Sequence, residues 1–283
     1  MLPQSLQHLI ARQSGVISRG QALDAGLTPA AVDDRLRLRR WRPVHPGVYL
    51  AGGHPCGDEA RVRAAVLWAG SGAVLSGLAA AWWHGMVEEA PLRVTVTVPE
   101  PRRRRSGGDP VVTRHHRIAA DDLDERRGLP VTAPALAALE AAVEAGAAGE
   151  VLLDHLLRHH VAFPEVRAAH LRNLVAPGST TAARMLLAAA DRSAAAAEDV
   201  LVRTLREAGA RGWHRGVPSA GRPAPVVFPA ARVAIEVTGW AWRPGEPGPA
   251  ARPGWTVLRF SWADLSRRPA VIFATLGGRP AGP

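Results

Sequence analysis

The chain has 283 residues, with 35 basic and 25 acidic side chains and a formal net charge of +10. Every basic residue is an arginine, which excludes sites that need a lysine, such as a P-loop, a Schiff base or a kinase site. A single cysteine, Cys56, excludes a disulfide framework and a cysteine-rich zinc site.

Charge divides the chain into three parts. Residues 1–53 hold 7 arginines against 3 acidic residues, residues 54–190 hold 15 against 15, and residues 191–283 hold 13 against 7. A neutral middle between two basic ends predicts three domains, with contacts to a polyanion at the ends. The lone cysteine and the absence of a signal-peptide pattern in the first ten residues favour a cytoplasmic location.

Residues 1–53 are predicted to form three helices followed by a β-hairpin. The first helix covers residues 5–13, the second follows an N-cap at Ser18, and the third follows the cap Thr28 with proline at its first position. Leu36 and Leu38 are predicted to face inward. The alternating pattern of residues 41–50 is typical of a hairpin.

Two of these helices form a predicted helix-turn-helix, because Gly26 lies in the short turn between them. Its second helix would enter the major groove of DNA, and the hairpin would act as a wing. The predicted DNA contacts are Arg19, Gln21, Thr28, Ala30, Asp34, Arg35, Arg37, Arg39, Arg40, Arg42 and His45. Few of these are polar base-reading residues, so phosphate contacts should dominate the affinity. The alternative is that the arginines form only a solvated surface.

The middle part begins with an uncharged stretch, residues 64–83, which is about long enough to span a bilayer. Glycines at its centre favour two short buried helices instead, over residues 58–68 and 75–84. Strands are predicted at residues 93–98 and 111–116, and a helix at residues 134–148. The arginines at 102–105 lie either at a solvated hairpin tip or in a phosphate-contacting loop.

His155 and His159 have the i, i+4 spacing that can bind zinc. No third ligand is evident, so we interpret them, with His160, as surface histidines. No metal site and no cofactor are predicted in the chain.

The last part is predicted to form a helix over residues 193–208, with Ser193 as its cap, and strands at residues 225–228, 233–237 and 255–260. Five of the nine tryptophans lie here. Trp255 and Trp262 are interpreted as core residues. Trp240 and Trp242 are interpreted as partly exposed, on a surface that would serve DNA binding or a homodimer.

The first two parts resemble AbiEi-type antitoxins of type IV toxin–antitoxin systems. The runs GVISRGQAL (residues 15–23), AGLT (25–28) and RWRPVHPGVY (40–49) resemble the winged-helix N-terminal domain of that family, and GAVLS (72–76) and GLPVT (128–132) resemble its second segment. The resemblance implies a cytoplasmic bacterial regulator that binds its own promoter. It also implies a nucleotidyltransferase-like toxin as the genetic partner.

The last part resembles the endonuclease domain of very-short-patch repair. Glu198, Glu236 and the run GWTVLRFSW (254–262) carry the likeness. In that family carboxylates hold Mg²⁺, which activates water at a phosphodiester.

Several positions depart from the endonuclease pattern. Residues 225–228 contain no aspartate, Thr238 stands where a second acid is expected, and Arg243 stands near the position of a histidine. Residues 244–254 hold four prolines and three glycines, which rules out the expected helix. Glu198 and Glu236 are therefore interpreted as vestigial, and no catalytic residue is predicted. A glutamate on a buried strand needs a partner, and the candidates for Glu236 are Arg232, Arg243 and Arg259.

Together these observations predict a multi-domain α+β protein. A winged helix-turn-helix occupies residues 1–53, a mixed α/β middle domain residues 54–190, and a restriction-endonuclease-like α/β domain with a flexible C-terminal tail residues 191–283. The predicted function is a DNA-binding transcriptional regulator with an inactive nuclease-like domain. The alternatives are a metal-dependent endonuclease targeted by the winged helix and an interaction protein that does not bind DNA.

Overall fold

The computed structural model describes residues 2–100, 110–215, 226–239, 254–261 and 264–265. The chain divides into a first unit, with residues 1–161 and 168–182, and a second unit, with residues 162–167 and 183–283. Residues 1–53 therefore lie in the same unit as most of residues 54–190, which were predicted to form a separate middle domain.

Three helices and a three-stranded antiparallel sheet begin the first unit. The elements are α1 (Gln4–Arg12), β1 (Val16–Ser18), α2 (Arg19–Asp24), α3 (Pro29–Arg37), β2 (Trp41–His45) and β3 (Val48–Ala51), with strand order β1-β3-β2. The predicted caps are confirmed: the Ser18 hydroxyl accepts from the Gln21 amide at 3.1 Å, and the Thr28 hydroxyl accepts from the Ala31 amide at 3.2 Å. Sequence patterns missed the short strand β1.

The prediction for Leu38 is wrong, since its side chain is 53% exposed. Leu38 is the C-cap of α3, and the next residue, Arg39, has a φ of 52°. The chain thus leaves the helix at Leu38, and the 3.6-residue period that would turn this side chain inward no longer applies. Leu36, two residues earlier and still within α3, does pack against the core of the N-terminal helices.

Both faces of the three-stranded sheet are buried. Tyr49 and Ala51 of β3 belong to a core with residues of the first three helices, whereas Val48 and Leu50 belong to a second core with residues of the following helix, α4 (Asp58–Ala69). Successive strand residues point to opposite faces, which produces this alternation. The hairpin therefore packs against α4 as well as against the N-terminal helices. The core that it shares with α4 contains residues on both sides of the predicted boundary at residue 53.

The rest of the first unit surrounds a mixed five-stranded sheet. Its further elements are β4 (Val74–Ser76), α5 (Gly77–His84), β5 (Val94–Val98), β6 (Val111–His115), β7 (Leu123–Arg126), β8 (Leu129–Thr132), α6 (Pro134–Glu144), α7 (Gly149–His159) and the second half of α8 (Phe163–Arg172), and the strand order is β6-β5-β4-β8-β7. The pairs β5–β6 and β4–β8 are parallel, and the other pairs are antiparallel.

One predicted helix in this region starts later than expected. Residues 74–76 form a strand, so the second helix of the uncharged stretch starts at Gly77 rather than at residue 75. In the described ranges every helix is too short or too polar to span a bilayer.

Because β5 and β6 are parallel, the segment between them cannot be a hairpin tip, which requires antiparallel strands. The arginines at 102–105 lie outside the described residues.

The second unit contains most of α9 (Ser179–Glu207) and the strands β9 (His214–Arg215), β10 (Val226–Phe228), β11 (Val233–Thr238) and β12 (Thr256–Ser261), in the sheet order β12-β11-β10-β9. Leu201 and Leu205 of α9 pack against Val226, Ile235 and Phe260 of the sheet. Trp240, Trp242, Trp262, Arg243 and residues 244–253 lie outside the described residues.

The predicted cap at Ser193 is wrong. Ser193 lies in the middle of α9, and its hydroxyl donates to the Ala190 carbonyl at 2.8 Å. The surrounding sequence is rich in alanine, the strongest helix former, and contains no glycine or proline that would break the helix. The helix therefore starts fourteen residues earlier than predicted, at Ser179.

Candidate nucleic-acid interface

The outer face of α3 is an exposed stripe. Ala30, Asp33, Asp34 and Arg37 are all exposed and follow the i, i+3, i+4, i+7 spacing of one helix face. On the opposite side Val32 is fully buried. The side chains that could enter a DNA groove are therefore small or charged.

Ion pairs balance the charges of this stripe. Arg19 at the start of α2 donates to Asp33 at 2.7 Å, and Arg37 donates to Asp34 at 2.7 Å. The hydrogen bond from Arg19 lowers the pKa of the Asp33 carboxyl, so Asp33 stays ionised at neutral pH. Arg19 and Arg37 thus contribute little net positive charge to the surface.

Two other predicted contact residues are occupied within the protein. The Arg35 guanidinium lies 5.7 Å from the Trp41 ring and donates to the Ala31 carbonyl at 2.6 Å. The Gln21 side chain accepts from the Ser18 amide at 3.1 Å and donates to Gln13 at 2.9 Å. These contacts hold the helices and the hairpin together.

Arg39, Arg40 and Arg42, here called the arginine triplet, are different. All three side chains are exposed, and none has a carboxylate partner among the described residues. The positive φ of Arg39 turns the chain from α3 into β2, and the Arg40 carbonyl accepts from the Gly52 amide at 2.7 Å. A well-held backbone therefore presents three uncompensated cations beside the end of α3.

His45 does not lie on this surface, which corrects the prediction that it contacts DNA. Its side chain is 3% exposed, and its ring lies 5.6 Å from that of Trp68 in α4. The cause is the packing of the hairpin against α4, which the sequence pattern of the hairpin does not reveal.

The two glutamates of the second unit each have a cationic neighbour. Glu236 of β11 lies opposite Arg259 of β12 and accepts from it at 3.0 Å, so Arg259 is confirmed as a partner among the predicted candidates. The Glu198 carboxylate lies 3.3 Å from Arg215. Within the described ranges, no three histidine, cysteine, aspartate or glutamate side chains are grouped so that they could hold a metal ion.

A buried charged cluster in the first unit was not predicted. Glu140 and Glu144 of α6 lie 3.7 Å and 3.3 Å from Arg114 of β6. Glu140 also accepts from the Gly77 amide at 3.2 Å, and Glu144 accepts from the Thr95 hydroxyl at 2.9 Å. Burial raises the pKa of Glu140 to about 7, against the opposing effect of Arg114.

Gly77 is required at this cluster for steric reasons. Its φ is +63°, and a Cβ atom there would lie 1.9 Å from the Glu144 carboxylate. A side chain there would displace the end of the Glu144 side chain and would strain the backbone, because the positive φ favours glycine.

Part of the first unit is similar to a known protein family. Residues 73–159 match the family model of the AbiEi antitoxin C-terminal domain, and this range runs from β4 to the end of α7. A solved structure, the RV2827C protein from Mycobacterium tuberculosis, is similar at 17% sequence identity and a TM-score of 0.42, over 65% of this chain and 75% of that chain. No curated protein matches the sequence.

Proposed function

We propose that this chain is a DNA-binding transcriptional regulator that resembles type IV antitoxins and represses its own promoter. The observation that carries the proposal is the arginine triplet, exposed and without acidic partners beside the end of α3. Arginine donates two parallel hydrogen bonds to a phosphate, and its charge persists at every physiological pH. The antitoxin part of the proposal is supported by the match of residues 73–159.

In the proposed complex α3 enters the major groove of duplex DNA, as in helix-turn-helix proteins. Thr28, Ala30 and Asp34 lie toward the base edges. The arginine triplet contacts phosphates, with Arg42 on the hairpin that serves as the wing. Since the α3 stripe is nearly neutral, phosphate contacts from the triplet supply most of the affinity.

A gel-shift titration tests the proposal. The full chain is mixed with the DNA upstream of its own gene or with an unrelated duplex of equal length, over a series of salt concentrations. We expect preference for the upstream DNA and a linear loss of log affinity with log salt, at about 0.9 per phosphate contacted. Absence of binding at low salt would refute DNA binding, and equal binding of both duplexes would refute autorepression.

The antitoxin role has its own test. We propose a nucleotidyltransferase-like toxin, encoded beside this chain, as the genetic partner. Expression of that neighbour alone should arrest growth, and co-expression of this chain should restore it. Growth arrest that persists with a well-expressed chain contradicts the antitoxin role but leaves the DNA-binding proposal intact.

We also propose that the second unit is an inactive nuclease-like domain. Glu198 and Glu236 each face an arginine, and β10 contains no acid. A nuclease of this kind needs two or three carboxylates that converge on Mg²⁺.

We predict no cleavage of plasmid or mismatched DNA above background with Mg²⁺ or Mn²⁺, and the same result for Glu236→Gln. Cleavage that disappears in this variant would show an active nuclease.

Replacement of Asp33 is predicted to raise the affinity for DNA. Replacement by asparagine removes a negative charge from the α3 stripe and releases Arg19 from its ion pair. The affinity for every duplex should rise about fivefold, because the added net charge attracts phosphates without regard to sequence. Asp24→Asn is the matched control, since Asp24 is exposed at the end of α2. An unchanged affinity of Asp33→Asn would place α3 away from the DNA.

A further inference from the structure

A pocket in the first unit is lined by aromatic and basic side chains that the proposed function does not use. It lies between the end of α5, the β7–β8 turn and the end of α7. Its lining residues are Trp82, Gly85, Met86, Val87, Glu88, Arg127, His155 and His160.

The β7–β8 turn holds Arg127 in a defined position. Arg127 and Gly128 both have positive φ values, 52° and 72°, as in the tight two-residue hairpin turn that favours asparagine and glycine. The Arg127 carbonyl accepts from Arg63 at 2.9 Å, and the preceding carbonyl accepts from the Trp83 indole at 2.8 Å. The turn is thus fixed at both carbonyls.

The Arg127 guanidinium remains available to a ligand. It lies 5.3 Å from the Trp83 ring, and no carboxylate of the described residues pairs with it. The neighbouring Arg63, by contrast, is paired with Glu59. An arginine held by its backbone but without an anion is suited to bind one.

Two histidines, His155 and His160, line the pocket beside this arginine, and His159 lies next to them. The His155 ring lies 4.8 Å from the ring of His159 and 5.9 Å from that of His160, and all three residues are exposed. A neutral imidazole carries one N–H group, which can donate a hydrogen bond to an anion. A metal ion fits less well, because the described residues include no group of three metal ligands.

Trp82 supplies an aromatic surface beside these charges. It is half-buried, with its ring 5.8 Å from that of Trp83. Gly85 ends α5 with a φ of +78°, and no atom lies within 4 Å of the position that a Cβ would take. Gly85 therefore leaves open space in the pocket that Trp82 also lines.

We propose that this pocket binds a nucleotide, with its phosphate on Arg127, His155 and His160 and its base stacked on Trp82. Bases stack readily on tryptophan, and arginine with imidazole donors is suited to phosphate. The one acidic side chain that lines the pocket, Glu88, lowers its positive charge. A single phosphate group is therefore favoured over a polyphosphate chain. The site does not depend on DNA binding by α3.

Calorimetric titration of the full chain tests this site with inorganic phosphate, adenosine and AMP. AMP should bind at least tenfold more tightly than either phosphate or adenosine alone, because only AMP engages both parts of the pocket. A 5′-phosphorylated and an unphosphorylated oligonucleotide distinguish a free nucleotide from a nucleic-acid end as the source. AMP binding that is no tighter than phosphate binding would overturn the proposal.

Two variants locate the binding. Arg127→Asn places the preferred residue before Gly128, so the turn is retained while the cation is lost, and AMP affinity should fall at least tenfold. Trp82→Leu should weaken AMP but not phosphate. Arg93→Asn, at an exposed arginine outside the pocket, is the matched control. Wild-type affinity of a folded Arg127→Asn variant refutes the site. Unchanged AMP binding after alanine replacement of the arginine triplet separates this result from any failure of the DNA proposal.

Discussion

Replacement of Arg39, Arg40 and Arg42 together by alanine is expected to lower the affinity for promoter DNA on the order of 100-fold at about 0.1 M salt. The three guanidinium groups are exposed and have no carboxylate partner in the described ranges, so nothing within the protein compensates their charge. Arg19 and Arg37 should matter less, because their ion pairs with Asp33 and Asp34 already neutralise them.

The salt dependence identifies the cause of the loss. Each phosphate contact removed should reduce the slope of log affinity against log salt by about 0.9, so the triple variant should lose roughly 2.7 of the wild-type slope. The loss should be similar for upstream and unrelated DNA, since phosphates carry no sequence information.

A matched control removes the same amount of charge elsewhere. Arg93, Arg117 and Arg158 are exposed and lie outside the N-terminal helices and the hairpin. Their joint replacement by alanine should leave at least half of the wild-type affinity. Equal losses in the two triple variants would show that net charge alone, rather than the surface beside α3, accounts for binding.

The stabilisation that Glu140 gives the first unit is expected to be lost as the pH rises to neutrality. Burial raises its pKa from the ordinary value of 4.5 to about 7, so the folded state holds this proton more tightly than the unfolded state. The stabilisation is complete below the unfolded pKa and is lost as the pH rises through the folded pKa. The contribution of Glu140 to the free energy of unfolding should decrease on the order of 2 kcal/mol between about pH 5.5 and 8, measured as the difference between wild type and Glu140→Gln at each pH.

Glu140→Gln should remove most of this pH dependence and make the protein more stable than wild type at about pH 8. Glutamine retains an oxygen that can accept from the Gly77 amide, and Arg114 keeps its ion pair with Glu144. Urea unfolding followed by circular dichroism measures the effect across this pH range. Glu125→Gln, on an exposed position of β7, is the control.

The opposite result has a clear meaning. If Glu140→Gln is less stable than wild type at high pH, the ion pair with Arg114 outweighs the cost of burying the charge. Such a result would also predict that the loss of Glu140 loosens β6, since Arg114 belongs to that strand.

The elements whose signals are local were predictable. Ser18 and Thr28 cap helices through hydrogen bonds to residues three positions later, and these geometries depend on the neighbouring residues alone. The strands β5, β6, β10, β11 and β12 carry β-branched runs of adequate length. The strands β1, β7 and β9 contain only two to four residues, too few for a clear alternating pattern, so their sequences alone did not reveal them.

The sequence alone could not show how the predicted contact residues differ in their surroundings. The predicted set contained eleven residues of equal standing, and the structure sorts them by their contacts. Arg19 and Asp33 are fourteen positions apart and meet only because α2 and α3 pack together. Gln21 and Arg35 are held by internal contacts, whereas the arginine triplet remains exposed.

By itself the sequence determined where the capped helices α2 and α3 start, where the hairpin lies and which end of the chain carries the arginine cluster, since these follow from hydrogen bonds, turns and periodicities within a few residues. Only the tertiary structure decided that the hairpin is buried on both faces, which removes His45 from the surface, and that Glu140, Glu144 and Arg114 meet in the interior. Ion pairing and burial depend on groups that are far apart in the chain. Their distances are set by the packing of whole elements rather than by any local pattern.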